Sequence, residues 1–196
     1  MKQITGFLTL LLMAFSFIAF ANNGDDGKVN TEKSTITWKG YKVTGQHEGT
    51  LKIKNGNLDF DNGTLKGGSF NIDMTSISTT DLAGGGAKKL NGHLKSPDFF
   101  GVEKFPTAKF VITKVVSRGM AGDYKIIGNL TIKETTKEIK FNAQVTEEMG
   151  KQVAMADITI DRTEYDVRYG SGSFFDSLGD KTIYDEFDLS IKLVVE

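Results

Sequence analysis

The feature that most constrains this chain is an alternation of apolar and polar residues with a period of two, which runs through most of residues 34–196. In one such segment Ile139, Phe141 and Ala143 alternate with Glu138, Lys140 and Asn142. Successive side chains of a β-strand point to opposite faces, so each segment is predicted to be a strand with one apolar face. About eight such strands follow one another at hairpin spacing. Asn-Gly dipeptides at 55–56 and 62–63 favour tight turns between them.

This pattern predicts an all-β fold. An antiparallel sheet that is apolar on one side must close on itself or be covered, and eight strands are a natural number for closure. We therefore expect an eight-stranded antiparallel barrel, whose interior is filled with side chains or holds one small ligand. A two-sheet sandwich would show the same alternation.

One segment, from Asp81 to Gly101, departs from the alternation. Leu90 and Leu94 lie four residues apart, which predicts a short amphipathic helix over 87–96, inserted between strands and ended by Pro97. The three glycines at 84–86 favour a flexible entry into this helix. An aromatic loop follows the helix.

The N-terminus is expected to lie outside this domain. A short basic start is followed by the apolar run 6–20 and by the small-x-small sequence at 19–21. This order predicts a secretory signal peptide over residues 1–21, and a retained anchor helix is the alternative. We expect a flexible tether over 22–31, the barrel domain over 32–196, and an exported protein.

Composition narrows the classes of function. The formal net charge of −1 gives no electrostatic case for binding nucleic acid. The chain has no cysteine, which excludes disulfides, thiolate nucleophiles and thiolate metal sites. The core alone must therefore hold the fold together.

Several segments together resemble the YceI-like family of bacterial periplasmic lipid-binding proteins. They include "HLKSPDFF", "FPTAKF" and "GNLTIKETTKEIKF", and they run in the same order from about Ser34 to the C-terminus. The resemblance implies an extended, lipocalin-like barrel in the periplasm, with a long apolar tunnel. In the family that tunnel holds an isoprenoid chain or a similar long-chain lipid, such as a fatty acid or fatty amide.

Large apolar side chains are the candidate wall of such a tunnel. Two Phe-Phe pairs stand in loops and are expected to cover the ends of a cavity. The ten candidate apolar ligand contacts are Trp38, Phe70, Leu94, Phe99, Phe100, Phe110, Leu130, Phe141, Phe175 and Phe187.

Three polar residues, His47, His93 and Arg162, are candidates for contact with the polar end of a lipid. For Arg162 a salt bridge at the barrel rim is an equally good interpretation, and for His93 a role in helix packing is the alternative. Two isolated histidines supply at most half of a zinc site, so we predict no metal and no cofactor.

Three functions fit this reading. The first is a non-enzymatic carrier or sequestering protein for a polyisoprenoid, an isoprenoid-quinone precursor, a fatty acid or a fatty amide. The second is an enzyme acting on a lipid-like ester or amide, with His47 or His93 as general acid/base. The third is a filled, ligand-free barrel that acts as a stress or adhesion factor, although Gly128, Ala143 and Ala156 leave room inside. A homodimer and a membrane-bound delivery partner are compatible with the first function.

Overall fold

A computed structural model describes residues 27–196 and confirms the predicted fold, a closed antiparallel barrel in which each strand pairs with the next and β1 pairs with β8. The closure rules out the sandwich. The elements in chain order are β1 Thr35–Lys42, β2 Gly45–Asp61, β3 Thr64–Thr79, α1 Gly84–Lys95, β4 Thr107–Ser117, β5 Asp123–Ile132, β6 Thr135–Glu148, β7 Lys151–Asp161, two 3₁₀ helices at Arg162–Tyr165 and Gly179–Lys181, and β8 Ile183–Val194.

The predicted signal peptide lies outside the described residues. The end of the predicted tether does not lie free of the barrel, which corrects the expected boundary at residue 32. Lys28 and Val29 form bridges with Asn57 and Val195, and Val29 is buried. Between residues 27 and 196, no helix is both long and apolar enough to cross a membrane.

Only one of the two Asn-Gly dipeptides makes the predicted turn. Asn62 and Gly63 join β2 to β3 with positive φ angles of 49° and 75°, as a tight hairpin requires. Asn55 and Gly56 instead lie inside β2, where the register with β3 shifts by a bulge. The bulge explains why a turn signal occurs in the middle of a long strand.

The helix α1 confirms the single predicted helix but starts earlier than expected. The three glycines at 84–86 form its first turn instead of a flexible entry, and Ala83 precedes them without a capping side chain. The helix ends at Lys95, where the Ser96 N–H and hydroxyl both donate to the carbonyl of His93. The helix lies at the end of the barrel that also carries the β1–β2, β5–β6 and β7–β8 connections, here called the α1 end.

The ladder between β6 and β7 covers only part of these strands. It pairs residues 144–148 with residues 151–155, and the last pair toward the α1 end is Gln144 with Met155. From that pair toward the α1 end, residues 135–143 of β6 form no ladder pairs with residues 156–161 of β7. We call these two stretches the β6–β7 gap.

Candidate ligand-binding cavity

The barrel encloses an apolar cavity of about 190 Å³. A well-packed interior contains few voids larger than a water molecule, so this space is not an ordinary packing defect. The cavity wall includes nine of the ten predicted apolar residues, namely Trp38, Phe70, Leu94, Phe99, Phe100, Phe110, Leu130, Phe141 and Phe187.

The alternation explains how these side chains come to line one space. Along β5 the inward side chains are packed, and Ile126 is only 2% exposed. Along β6 and β8 the inward side chains, such as Phe141 and Phe187, are only partly buried although they point into the barrel. Partial burial of inward apolar groups is expected where they face an empty space.

Three glycines bring aromatic rings onto this wall. A Cβ added at Gly49 would lie 2.7 Å from the Trp38 ring, and one added at Gly128 would lie 2.4 Å from the Phe110 ring. The corresponding distance from Gly56 to the Phe70 ring is 2.5 Å. Each glycine therefore makes space for a ring from a neighbouring strand.

This packing corrects the interpretation of Gly128 as a residue that leaves room for a ligand, because the ring of Phe110 fills that position. The other two small residues in that interpretation, Ala143 and Ala156, do lie on the cavity wall.

Residues of α1 and of the loop after it cover the cavity at the α1 end. Leu94, Phe99 and Phe100 are all buried and all line the cavity. The two phenylalanine rings meet edge to face with centroids 5.1 Å apart. The backbone N–H of Phe100 donates to the carbonyl of Leu94, which holds the loop against the helix. The predicted cover is therefore formed by both rings of this pair.

The second Phe-Phe pair does not form a cover. Phe174 and Phe175 are 47% and 52% exposed, and neither lines the cavity. The guanidinium of Arg168 lies 4.6 Å from the centroid of the Phe174 ring. The predicted position of Phe175 over a barrel end is therefore corrected.

Arg162 is buried at the cavity wall and is held by protein acceptors. Its guanidinium donates to the carbonyls of Val167 at 2.6 Å, Ile183 at 3.0 Å and Tyr184 at 3.1 Å. It also lies 3.4 Å from a carboxylate oxygen of Asp185. Burial lowers the pKa of Arg162, while the nearby carboxylate of Asp185 acts in the opposite direction.

These contacts explain why an arginine stands at this position. Between Gly40 and Lys42 of β1 the register with β8 shifts, and Ile183 and Tyr184 lie in the irregular part of β8. The guanidinium of Arg162 donates hydrogen bonds to their carbonyl groups there. The salt bridge predicted at the rim is present, and the same side chain also lines the cavity.

His47 lies at the α1 end of β2 but is not part of the cavity wall. Its Nδ1 is 2.8 Å from a carboxylate oxygen of Asp81. Burial raises the pKa of Asp81, but hydrogen bonds from Thr79, His47 and the N–H of Glu48 outweigh it and lower the pKa to about 2. The pair thus ties β2 to the segment that leads into α1.

His93 packs between aromatic rings behind the cavity wall. Its ring centroid lies 4.4 Å from that of Tyr169 and 5.5 Å from that of Phe99, both edge to face. Its Nε2 is buried and has no hydrogen-bond partner within residues 27–196. Since His93 does not line the cavity, the structure favours the helix-packing interpretation over contact with a lipid head group.

Sequence reasoning missed Glu186, which with Arg162 gives the cavity wall two charged residues among those the structure describes. The period of two places Phe187 and Leu189 inward and Glu186 outward. The register shift against β1 brings Glu186 to the wall as well. No pattern in the sequence marks that shift.

The closed barrel, its single inserted helix and its apolar cavity define the class of protein: a small β-barrel built around an apolar interior. A family model described as the YceI-like domain matches residues 28–195. The chain belongs to the YceI-like family, as its sequence motifs predicted.

Relatives in sequence agree with this membership. A UPF0312 protein of Shewanella denitrificans is 33% identical over 147 residues, which span 72% of this chain and 73% of the relative. A UPF0312 protein of Pseudomonas putida is 34% identical over 113 residues, which span 55% of this chain and 54% of the relative.

Solved structures share the fold. The crystal structure of BcnA from Burkholderia cenocepacia has a TM-score of 0.71 at 23% identity, covering 86% of this chain and 99% of that one. A polyisoprenoid-binding domain from Saccharophagus degradans, implicated in plant cell wall breakdown, has a TM-score of 0.65 at 13% identity, covering 87% and 98%. At these identities the likeness concerns the fold alone.

Proposed function

We propose that this protein binds one long-chain apolar ligand in the cavity and acts as a non-enzymatic carrier or sequestering protein. The observation that carries the proposal is the cavity wall, which is apolar apart from a few residues near the α1 end. The ligand class is a polyisoprenoid, an isoprenoid-quinone precursor, a fatty acid or a fatty amide. The polyisoprenoid-binding domain with the same fold supports this class.

The wall supplies binding energy through burial of the chain. Each methylene removed from water contributes about 0.8 kcal/mol. The loss of translational and rotational freedom subtracts several kcal/mol, so the affinity falls short of the sum. An apolar chain can therefore be held without a charged anchor, which agrees with the engagement of Arg162 by protein acceptors.

We further propose that the protein works in the periplasm after cleavage of the predicted signal peptide. Exported lipids must cross an aqueous space, and a barrel that shields an apolar chain suits that task. A membrane-bound delivery partner and a homodimer are part of the same proposal.

The enzymatic alternative is less well supported. Neither His47 nor His93 reaches the cavity wall, and His47 is engaged by Asp81. A general acid/base must lie within hydrogen-bond reach of the reacting group, or one water away from it. The alternative of a filled barrel acting through its surface is disfavoured by the cavity of about 190 Å³.

The direct test is extraction of the purified protein with organic solvent, followed by mass spectrometry. We expect a long-chain lipid in stoichiometric amount, and none in an extract of the protein after delipidation. A lipid-free extract together with turnover of an ester or amide would support the enzyme instead.

Titration of the delipidated protein gives a second measurement. Trp38 is the chain's single tryptophan and lies on the cavity wall, so its fluorescence should report occupancy. Retinol, an isoprenoid alcohol that absorbs at the wavelengths tryptophan emits, is a suitable probe. We expect energy transfer from Trp38 to saturate at one retinol per chain. Additives without an apolar part should not change the fluorescence of Trp38.

A further inference from the structure

Along the β6–β7 gap, no ladder pairs join the two strands beside the cavity. The side chains that border it, Phe141 and Ala143 on β6 and Ala156 and Ile158 on β7, all line the cavity. Two of the four are alanines, which leave more space between the strands than large side chains would. The gap therefore has apolar borders and leads directly to the proposed binding site.

Met155 lies at the lower limit of the gap. It belongs to the last ladder pair below the gap, lines the cavity and is 39% exposed. On the other border, Phe141 and Ala143 are also only partly buried.

Both ends of the barrel are covered by packed residues. At the α1 end, Leu94, Phe99 and Phe100 are buried over the cavity. At the opposite end, Val29 and Val195 form a bridge, and both are buried. A ligand that used either end would have to displace a packed cover.

The gap lies within a fixed frame. Below it the ladder resumes at Gln144 and Met155. Above it the ammonium of Lys133 donates to the carbonyl of Asp166 at 2.9 Å, which joins the β5–β6 turn to the segment after β7. Widening the gap between these limits moves side chains such as Phe141 without breaking ladder hydrogen bonds.

A second place where wall residues reach solvent is the irregular part of β8, at Tyr184 and Glu186. There, however, Arg162 bonds the carbonyls of Ile183 and Tyr184, and Tyr41 donates to Asp188 at 2.6 Å. Opening that seam would break charged hydrogen bonds, which are stronger than those between neutral groups.

We propose that the β6–β7 gap is the port through which the apolar chain enters and leaves the cavity. This inference rests on the proposed function and adds the route by which the ligand enters and leaves the cavity. Lipid exchange then needs no movement of α1, and the rate of exchange is set by the side chains that border the gap.

The test bridges the gap with a cleavable bifunctional maleimide in the delipidated protein. The chain has no native cysteine, so Asn142→Cys with Asp157→Cys places one thiol on each border, at exposed positions. The matched control is Asn142→Cys with Lys125→Cys, which are register partners in the intact β5–β6 ladder. Release of retinol is followed through energy transfer from Trp38.

We expect the bridge across the gap to slow release by about tenfold or more, with recovery after the linker is cleaved and with no effect of the control bridge. Equal release rates in the two bridged proteins would overturn the port.

These outcomes distinguish a failure of the proposed port from a failure of the proposed ligand-binding function. If the unbridged protein binds retinol but the bridge does not change the rate, the port is overturned and the proposed function stands. If the unbridged protein binds neither retinol nor any extractable lipid, both are overturned.

Discussion

The ring of Phe110 occupies the space that a side chain at Gly128 would fill: an ideal Cβ there lies 2.4 Å from Cζ of the ring. The carbonyl oxygen of Val111 lies 2.6 Å from the same point, so the backbone cannot easily make way. We therefore expect Gly128→Ala to lower the free energy of unfolding by about 1–3 kcal/mol, as overpacking of a core does.

The matched control for this substitution is Gly40→Ala. Gly40 lines the cavity, and a Cβ there meets no atom within 4 Å. We expect Gly40→Ala to leave the stability unchanged or to raise it by about 0.5 kcal/mol, through the reduced freedom of the unfolded chain. Urea denaturation of both variants checks this, and equal losses of stability would contradict the packing argument.

The alternation of residues predicted the all-β fold and the six apolar wall positions that lie on strands, because inward side chains on strands follow directly from a period of two. The other three wall positions, Leu94, Phe99 and Phe100, lie on α1 and in the loop after it. The bulges were not predictable. They interrupt the period at Asn55 and near Tyr41, where backbone pairing with another strand decides the register.

The polar candidates were harder for the same reason. The residue types at His47 and His93 fit a head-group site, but their partners, Asp81 and Tyr169, come from distant segments of the chain. Phe175 belongs to a Phe-Phe dipeptide, as Phe99 and Phe100 do. The two dipeptides differ only in what their surrounding loops pack against. Local sequence does not contain that information.

A second prediction concerns Arg162→Lys. A lysine ammonium cannot reach the three carbonyls that the guanidinium holds, so buried acceptors would lose their partners. We expect the free energy of unfolding to fall by about 2–4 kcal/mol in urea denaturation.

Arg168→Lys is the control for Arg162→Lys. The Arg168 side chain is 52% exposed and pairs with Asp166 at 3.2 Å. Exposed ion pairs contribute little to stability, so Arg168→Lys should lower the free energy of unfolding by less than about 1 kcal/mol. If both lysine variants were equally stable, the role of Arg162 in holding β8 would be wrong.

A third prediction follows from the pKa of Asp81, which falls from its ordinary value of 3.8 to about 2 in the folded protein. A lowered pKa in the folded state stabilises the fold above pH 3.8, and that contribution is lost as the pH falls toward 2. Asp81→Asn should therefore cost on the order of 1 kcal/mol at neutral pH, after allowance for solvent screening.

The difference between wild type and Asp81→Asn should shrink as the pH is lowered through this window. Denaturant titrations near neutral pH and near the lower limit of the window measure it. Asp61→Asn, at an exposed carboxylate 3.8 Å from Lys66, should have a small effect throughout. A difference that is independent of pH would contradict the assignment to the Asp81 carboxylate.

The last prediction separates the apolar wall from the polar residues in ligand binding. For a series of straight-chain alcohols, each added methylene should raise the affinity by up to about fourfold, the equivalent of about 0.8 kcal/mol, until the cavity is filled. Phe141→Ala should weaken binding because it removes wall surface, whereas His47→Ala should leave it within about twofold, because His47 does not line the cavity. Fluorescence titrations through Trp38 give both comparisons under the same conditions. Affinities that ignored chain length and collapsed in His47→Ala would show that the head group, and not the apolar wall, governs binding.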